Sequence, residues 1–171
     1  DKLNINLIED LFNEKLNALR LEQKVGVLIK DKTLTLAAND QAKYMALVNT
    51  VTHSQKEKIK ETPFKRIQFY KGTHDKSGEN CAKIYLKKAV RNKKTNSVTI
   101  TNTYEEAAEL LFKTWFESSG HYKNMINKEY DVQGISLVLS KDSALYATQV
   151  FSAKPYIPPA DKTIIDFDYG I

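Results

Sequence analysis

Two histidines and one glutamate carry the clearest chemical potential in the sequence, although they lie far apart along it. His53 precedes Ser54 just past a helical pattern, Glu79 stands in a Gly-Glu-Asn triplet, and His121 follows Gly120. Two neutral imidazoles can bind a divalent transition metal, with water or a carboxylate completing the coordination shell. A neighbouring carboxylate orients one imidazole and stabilises its protonated form. We therefore hypothesise a weak, exchangeable site for zinc or another divalent metal, with His53 and His121 as ligands.

The same three side chains support other interpretations. Glu79 could act as general base toward a metal-bound water, which would make the protein a hydrolase for peptide or ester bonds. The three groups could equally form a hydrogen-bonded network that ties helices to loops and satisfies buried polar atoms without catalysis. They could also line a cleft that binds a ligand without turnover. The residues leave these alternatives open, and we favour binding over catalysis.

Other reactive side chains carry weaker signals. Ser54 and Ser118 lie near histidines in sequence, but nothing in their spacing indicates an oxyanion hole or a nucleophile elbow. Cys81 lies two residues after Glu79, so a Cys–His pair could form, although we expect a small buried packing residue. As the single cysteine it makes no intramolecular disulfide. We expect His74 to lie in a solvated loop. The alternative is that His74 is a third ligand in the cleft.

Apolar residues recurring at helical spacing predict the helices that must position these groups. They indicate helices over 4–22 and 36–51, and a short helix over 63–70 that begins at a proline. Thr103 begins a further helix, since a glutamate three residues later completes a capping box. We expect Gly120 to end that helix.

Extended segments dominate the rest of the pattern. Residues 132–139 and 144–151 predict a β-hairpin, and 83–102 predicts two extended pieces around a polar turn. We expect residues 77–80, which include Glu79, to form a loop. Since strands and helices do not alternate strictly, the order predicts an α+β domain with a mainly antiparallel sheet covered by helices.

Composition limits the classes of protein that remain. A length of 171 residues, 42% of them hydrophobic and 27% charged, fits one globular domain rather than a disordered chain. No apolar run reaches the length needed to span a membrane. The net charge is +5, and its densest basic stretch, 83–94, has Tyr85 but no series of stacking aromatics. A nucleic-acid platform is therefore weakly supported.

In combination, the motifs resemble the CAP superfamily, in particular its bacterial branch. That superfamily includes cysteine-rich secretory proteins, insect venom antigens and plant pathogenesis-related proteins. The resemblance covers about residues 4–153. It is carried by six short motifs in family order: Phe12-Asn13-Glu14 through Leu19-Arg20 with Val25-Gly26-Val27; Leu34 to Met45; His53-Ser54; Gly78-Glu79-Asn80; Trp115 and Ser118 with Gly120-His121 and Asn124; and Gly134 with Tyr146-Ala147-Thr148-Gln149-Val150-Phe151.

The resemblance implies a three-layer α-β-α sandwich with a central cleft of two histidines and two acids. His53, Glu79 and His121 match three of these positions. The fourth position, three residues after the tryptophan, is Ser118, and Glu117 lies one residue earlier, about 100° away around a helix. We therefore expect a binding cleft of His53, Glu79, Glu117, Ser118 and His121, and we leave open which residue fills the fourth position.

The resemblance also sets expectations about the whole protein. We expect one CAP domain over 1–153, a proline-rich and then apolar tail over 154–171, and a secreted or cell-envelope location whose signal peptide is not part of this sequence. The low cysteine count fits the bacterial branch. The expected partner is a small molecule, a lipid or a cell-surface polymer bound by a monomer, with no nucleic acid and no transmembrane segment. A metal-assisted hydrolase and a non-catalytic interaction module using 83–94 remain alternatives.

Overall fold

Helices and short strands follow one another without strict alternation in the computed structural model, which describes residues 3–154. The helices are α1 (Ile5–Glu22), α2 (Lys32–Val48), α3 (Pro63–Phe69), α4 (Tyr104–Phe116) and α5 (Ser119–Met125). The strands are β1 (Ile29–Lys30), β2 (Gly78–Tyr85), β3 (Val90–Arg91), β4 (Val98–Thr99), β5 (Val132–Leu139) and β6 (Ala144–Ser152), and a 3₁₀ turn spans Lys58–Lys60. Among these residues, no helix combines the length and apolar character needed to cross a membrane.

The main sheet has the strand order β1-β5-β6-β2. Strand β6 pairs antiparallel with both β5 and β2, and the short edge strand β1 pairs parallel with β5. Strands β3 and β4 form a separate two-stranded hairpin. The predicted hairpin of the last two strands and the mainly antiparallel sheet are therefore confirmed.

Helices cover both faces of this sheet. Because successive strand residues point to opposite faces, neighbours in β2 join different cores. Cys81 packs with Met45 of α2, whereas Ala82 joins the cluster formed by α1 and α4, which includes Phe12 and Trp115. The result is the expected three-layer α-β-α sandwich, with α2 and α3 on one side and α1 and α4 on the other.

Helix α2 approaches the sheet unusually closely at one glycine. A methyl group added at Gly134 of β5 would lie 2.1 Å from the backbone carbonyl carbon of Leu34 and 2.1 Å from the backbone nitrogen of Thr35. The facing surface of α2 carries Ala37 and Ala38, both fully buried. Small residues on both elements therefore let the helix backbone rest directly on the strand.

A buried arginine ties the opposite layer together. Arg20 of α1 is 1% exposed, and its guanidinium donates to four backbone carbonyl oxygens. The acceptors are Gly26 at 2.6 Å, Met125 at 2.8 Å, Tyr130 at 2.9 Å and Asn127 at 3.1 Å. Carbonyl dipoles rather than water stabilise the buried charge. These hydrogen bonds also hold α1 against the end of α5 and the segment that follows it.

Two predicted boundaries are wrong. The predicted 77–80 loop is largely strand, because β2 begins at Gly78 and buries Glu79, whose polarity suggested a loop. Gly120 does not end α4, which stops at Phe116, and it lies inside α5 instead. The break comes earlier because Ser118 adopts an extended conformation.

The other predicted helices are confirmed, with one earlier start. Asn4 caps α1, and the capping box of Thr103 is present at α4. Helix α2 begins at Lys32, four residues before its predicted start, because the Asp31 side chain accepts a hydrogen bond from the Leu34 backbone nitrogen. The predicted tail 154–171 falls outside the described residues except for Lys154.

Candidate functional site

Three elements distant in sequence bring His53 and Glu79 into direct contact and His121 close to them. His53 lies between α2 and α3, Glu79 is the second residue of β2, and His121 lies in α5. The His53 Nδ1 atom is 2.9 Å from Glu79 Oε1. The side chain of Asn80, which follows Glu79, donates to the backbone oxygen of His121 at 3.2 Å, and the charge of His53 contributes to lowering the pKa of His121. The site therefore lies where β2 begins, between the loop before α3 and helix α5.

Arg66 is the site residue that sequence reasoning missed. Its Nη2 donates to Glu79 Oε2 at 2.5 Å, and both side chains are buried, at 0% and 2% exposed. The same guanidinium donates to the backbone oxygens of His53, at 3.2 Å, and Lys60, at 2.9 Å. Arg66 thus holds in place both the Glu79 carboxylate and the backbone of His53. The polar, lysine-rich segment around Arg66 gives no indication that this arginine is buried. The one general rule that pointed to such a residue is that a buried carboxylate, here Glu79, requires a cationic partner.

Cys81 completes the surroundings of the carboxylate. Its thiol donates to Glu79 Oε1 at 3.4 Å and packs in the core beside Met45 and Tyr146. Burial raises the pKa of the Cys81 thiol, and the nearby Glu79 charge adds to this effect. The expected buried packing role is confirmed, and a thiolate nucleophile is disfavoured.

The two histidines have opposite electrostatic environments. The hydrogen bond to Glu79 raises the pKa of His53 above its ordinary 6.5, while partial burial opposes the rise. Burial lowers the pKa of His121, and the charge of His53 lowers it further. The Nδ1 atom of His121 is buried and has no hydrogen-bond partner among residues 3–154. At neutral pH His121 is therefore mainly neutral, and the contact of His53 Nδ1 with Glu79 orients the His53 ring.

Titration should separate the two rings. We expect His53 to titrate above pH 6.5 and His121 below it when ring proton shifts are followed by NMR in the metal-free protein. In the His53→Ala variant the pKa of His121 should rise, because one of the two causes of its depression is removed. The fold should gain stability from His53 below pH 6.5 and lose that gain as pH rises through the raised pKa. Identical pKa values for both rings would contradict this electrostatic description.

Asparagine side chains fasten α5 to β2. The Asn80 amide donates to the backbone oxygen of His121 at 3.2 Å. The Asn124 amide donates to Asn80 Oδ1 at 2.9 Å and to the backbone oxygen of Glu79 at 3.3 Å. These bonds hold the helix that carries His121 in register with the strand that carries Glu79.

The segment that carries His53, residues 49–62, is held mainly by polar contacts. We call it the His53 loop. The Gln41 amide donates to the backbone oxygen of Thr52 at 2.5 Å, and the Gln55 amide donates to Gln41 Oε1 at 3.1 Å. Lys60 pairs with Asp40 at 2.9 Å. Helix α2 thus anchors the loop through side chains rather than through a large apolar surface.

The two residues expected to compete for the fourth cleft position lie at the junction of α4 and α5. Glu117 is exposed at the C-terminal end of α4, and Ser118 is half-buried at the N-terminal end of α5. Within residues 3–154, neither side chain makes a hydrogen bond or ion pair with His53 or His121. The acid in contact with His53 is Glu79.

The prediction of a solvated His74 is wrong. Its side chain is 2% exposed, and its Nε2 lies 3.5 Å from Asp31 Oδ2 at the start of α2. The physical reason is the tight turn at Gly72, where an added methyl group would lie 2.5 Å from Ile67 and 3.0 Å from the His74 ring. The His74 ring is therefore buried beside Asp31, and neither of its ring nitrogens has a hydrogen-bond partner among residues 3–154.

Solved structures share this architecture. An outer surface protein from Borrelia burgdorferi superposes with a TM-score of 0.69 at 18% identity, covering 90% of this chain and 97% of that one. An extracellular protein containing a SCP domain from Bacillus anthracis gives a TM-score of 0.62 at 22% identity, covering 87% of this chain and 41% of that one. At these identities the likeness shows the fold.

A third structure was solved with a metal ion. NaASP2 with Zn²⁺ gives a TM-score of 0.50 at 16% identity, covering 85% of this chain and 77% of that one. No sequence among the curated proteins matches the chain.

Sequence comparison with family models identifies the domain. The model described as CAP, the cysteine-rich secretory protein family, matches residues 14–151, which is most of the chain. This match includes His53, Glu79 and His121 and runs from α1 to β6. With the α-β-α sandwich and the fold likeness to bacterial SCP-domain structures, it shows that the chain belongs to the CAP family of cysteine-rich secretory proteins.

Proposed function

We propose that this CAP domain binds a divalent transition metal reversibly in its cleft, through Nε2 of His53 and the ring of His121. The observation that carries the proposal is the bond between His53 Nδ1 and the buried Glu79 carboxylate. Metal-ligating histidines almost always donate their other ring N–H to such an oxygen acceptor, which fixes the tautomer and the ring orientation. His53 therefore has the geometry of a prepared ligand.

The second ligand also suits a metal. The buried Nδ1 of His121 has no hydrogen-bond partner among residues 3–154, and its depressed pKa favours the neutral ring at pH 7. A protonated imidazole cannot ligate, so this depression favours binding. Two protein nitrogens leave the remaining coordination positions to water or to a ligand. We infer a weak, exchangeable site rather than a permanent cofactor.

A different donor set fits less well. Potential ligand atoms of His53, Glu79 and Cys81 lie within 4.8 Å of one another. To use all three, a metal would have to displace Arg66 or His53 from Glu79 and remove the proton from a buried thiol. Both changes cost free energy. The two-histidine arrangement requires neither.

The engagement of Glu79 also favours binding over hydrolysis. Its Oε2 accepts a bond from Arg66 and its Oε1 faces His53 and Cys81. A general base must instead have an oxygen within reach of the proton it removes. We therefore infer that Glu79 positions His53 and does not take a proton from water.

We further propose that the protein works at the cell surface or outside the cell. The supporting observations are the fold likeness to an outer surface protein of Borrelia burgdorferi and to an extracellular protein of Bacillus anthracis. The zinc in the NaASP2 structure supports zinc as the metal to test. A small molecule, a lipid or a polymer with an oxygen donor would complete the coordination shell.

Zinc titration by calorimetry at pH 7.5 tests the metal site. The wild-type protein should bind one zinc ion, and His53→Ala and His121→Ala should each weaken binding by about 10-fold or more, because each removes one of two protein ligands. Cys81→Ser should bind zinc as the wild type does. Thermal melts should show that every variant is folded.

Two results would contradict the proposal. Equal zinc binding by the wild type and both histidine variants would remove the metal claim altogether. Loss of binding in Cys81→Ser with retention in His121→Ala would assign the metal to His53, Glu79 and Cys81 instead.

A further inference from the structure

The net positive charge of the protein is concentrated in one exposed segment. The chain has 26 basic and 21 acidic residues, a net charge of +5. Five of the basic residues lie between Lys87 and Lys94, so the remainder of the chain is electrically neutral as a whole. No acidic residue occurs between Glu79 and Glu105. We call residues 87–100, which contain β3 and β4, the basic hairpin.

The basic hairpin is fully presented to solvent and has a defined shape. Every residue from 87 to 100 is exposed, and within residues 3–154 β3 and β4 pair only with each other. At its tip, the Asn92 side chain accepts bonds from the backbone nitrogens of Lys94, at 2.8 Å, and Thr95, at 3.2 Å. Arg91 donates to Asn96 at 2.7 Å. The cations at the tip, Lys93 and Lys94, therefore project from an ordered turn.

These cations lack anionic partners within the described part of the chain. The ion pairs there involve other lysines, such as Lys15, Lys58 and Lys76. None involves the five cations of the basic hairpin, which are Lys87, Lys88, Arg91, Lys93 and Lys94. Unpaired cations grouped on one surface create a local positive potential that attracts anions.

We propose that the basic hairpin binds a linear anionic polysaccharide. A single exposed ion pair contributes little, so an arrangement of five cations suits a partner that presents repeated negative charges. The five cations are distributed along the hairpin, before β3, within it and at the turn that follows it, so they do not converge on one point. A polymer can engage several of these cations at once, whereas a small anion cannot.

The composition of the hairpin favours a polysaccharide over a single-stranded nucleic acid. Residues 86–102 contain no phenylalanine, tyrosine or tryptophan. Binding of single-stranded nucleic acid relies on aromatic side chains on which bases stack, and the hairpin offers none. Sulfate and carboxylate groups on sugars need only charge and hydrogen-bond donors, which lysine and arginine supply.

This site is independent of the metal cleft. Glu79 and Tyr85 lie at opposite ends of β2, so about 20 Å of strand separates the cleft end of β2 from the end that leads into the hairpin. Substitutions in the hairpin should therefore leave zinc binding unchanged. The two proposals can fail separately.

The test compares two variants of equal net charge. In the hairpin variant, the five hairpin cations become glutamine. In the control variant, five exposed lysines outside the hairpin that form no ion pair in the described residues become glutamine: Lys24, Lys30, Lys32, Lys43 and Lys128. The probes are heparin, which is sulfated, polygalacturonate, which is carboxylated, and duplex DNA of matched charge, each titrated at low and at physiological salt.

We expect the wild type and the control variant to bind at least one polysaccharide with similar affinity, and the hairpin variant to bind it about 10-fold more weakly or worse. Affinity should fall as salt rises, because exposed charges are screened. Binding to heparin or to polygalacturonate alone would identify sulfate or carboxylate as the recognised group. The proposal is overturned if neither polysaccharide binds, if both variants lose affinity equally, or if DNA binds as tightly as the polysaccharide.

Discussion

Replacing Gly134 by alanine should lower the free energy of unfolding by about 3 kcal/mol, the upper part of the range for overpacked cores. The added methyl group would meet the backbone of Leu34 and Thr35 at 2.1 Å, a separation that real atoms do not adopt. A flexible side chain could move aside, but the backbone of α2 can yield only if the helix shifts. Because α2 anchors the His53 loop, the shift should also weaken zinc binding.

Gly120→Ala is the matched control for this prediction. Nothing lies within 4 Å of the position that its added methyl group would occupy, and the residue is helical. Alanine should therefore leave stability unchanged or raise it by up to about 1 kcal/mol. Chemical denaturation of both variants at pH 7 measures the difference. A Gly134→Ala variant as stable as the wild type would show that α2 can move away from β5 at no cost.

The second large effect is expected from Glu79→Gln. Glutamine keeps the size of the side chain but removes its charge, which leaves the fully buried Arg66 without its counter-ion. Removing one partner of a buried ion pair lowers the free energy of unfolding by about 3–5 kcal/mol, because the other partner remains as an uncompensated charge out of water. Equilibrium denaturation should show this loss of stability. NMR should show the pKa of His53 falling below 6.5, because burial and the Arg66 charge, which both lower it, remain.

Two comparisons make this result specific. The double variant Arg66→Met with Glu79→Gln should recover a large part of the lost stability, since replacing both partners of a buried pair is often close to neutral. Glu61→Gln, which removes an acid paired with exposed Lys58 and Lys65, should have no measurable effect. If Glu79→Gln were as harmless as Glu61→Gln, the Arg66–Glu79 pair would not support the site.

Local sequence signals were enough to predict most of the fold. Helical periodicity, the capping box at Thr103 and the hairpin signal of the last two strands correspond directly to α1, α4, β5 and β6. Each of these patterns reports contacts within one element or between neighbours along the chain. Resemblance to the CAP superfamily then supplied the layer order, which local patterns cannot give.

The rest of the site depends on contacts between distant residues. Glu79 was expected in a loop because a charged residue is untypical of a buried strand. Its burial becomes favourable only when Arg66 of α3 pairs with it. The burial of Arg66 and of His74 likewise follows from tertiary packing, since neither position has a local pattern that predicts it. Buried charges are therefore the features that single-sequence reasoning was least able to find here.

The polar anchoring of the His53 loop has a consequence for how the cleft behaves over time. Segments held by few apolar contacts open locally at a lower free energy than core strands do. Glu79 lies in β2, which pairs with β6 along its whole length, so that half of the cleft opens only when the sheet itself unfolds. We therefore expect the His53 loop to open locally while the sheet stays intact. Occupancy of the cleft would then favour the closed loop, so that a bound metal also orders the segment between α2 and α3.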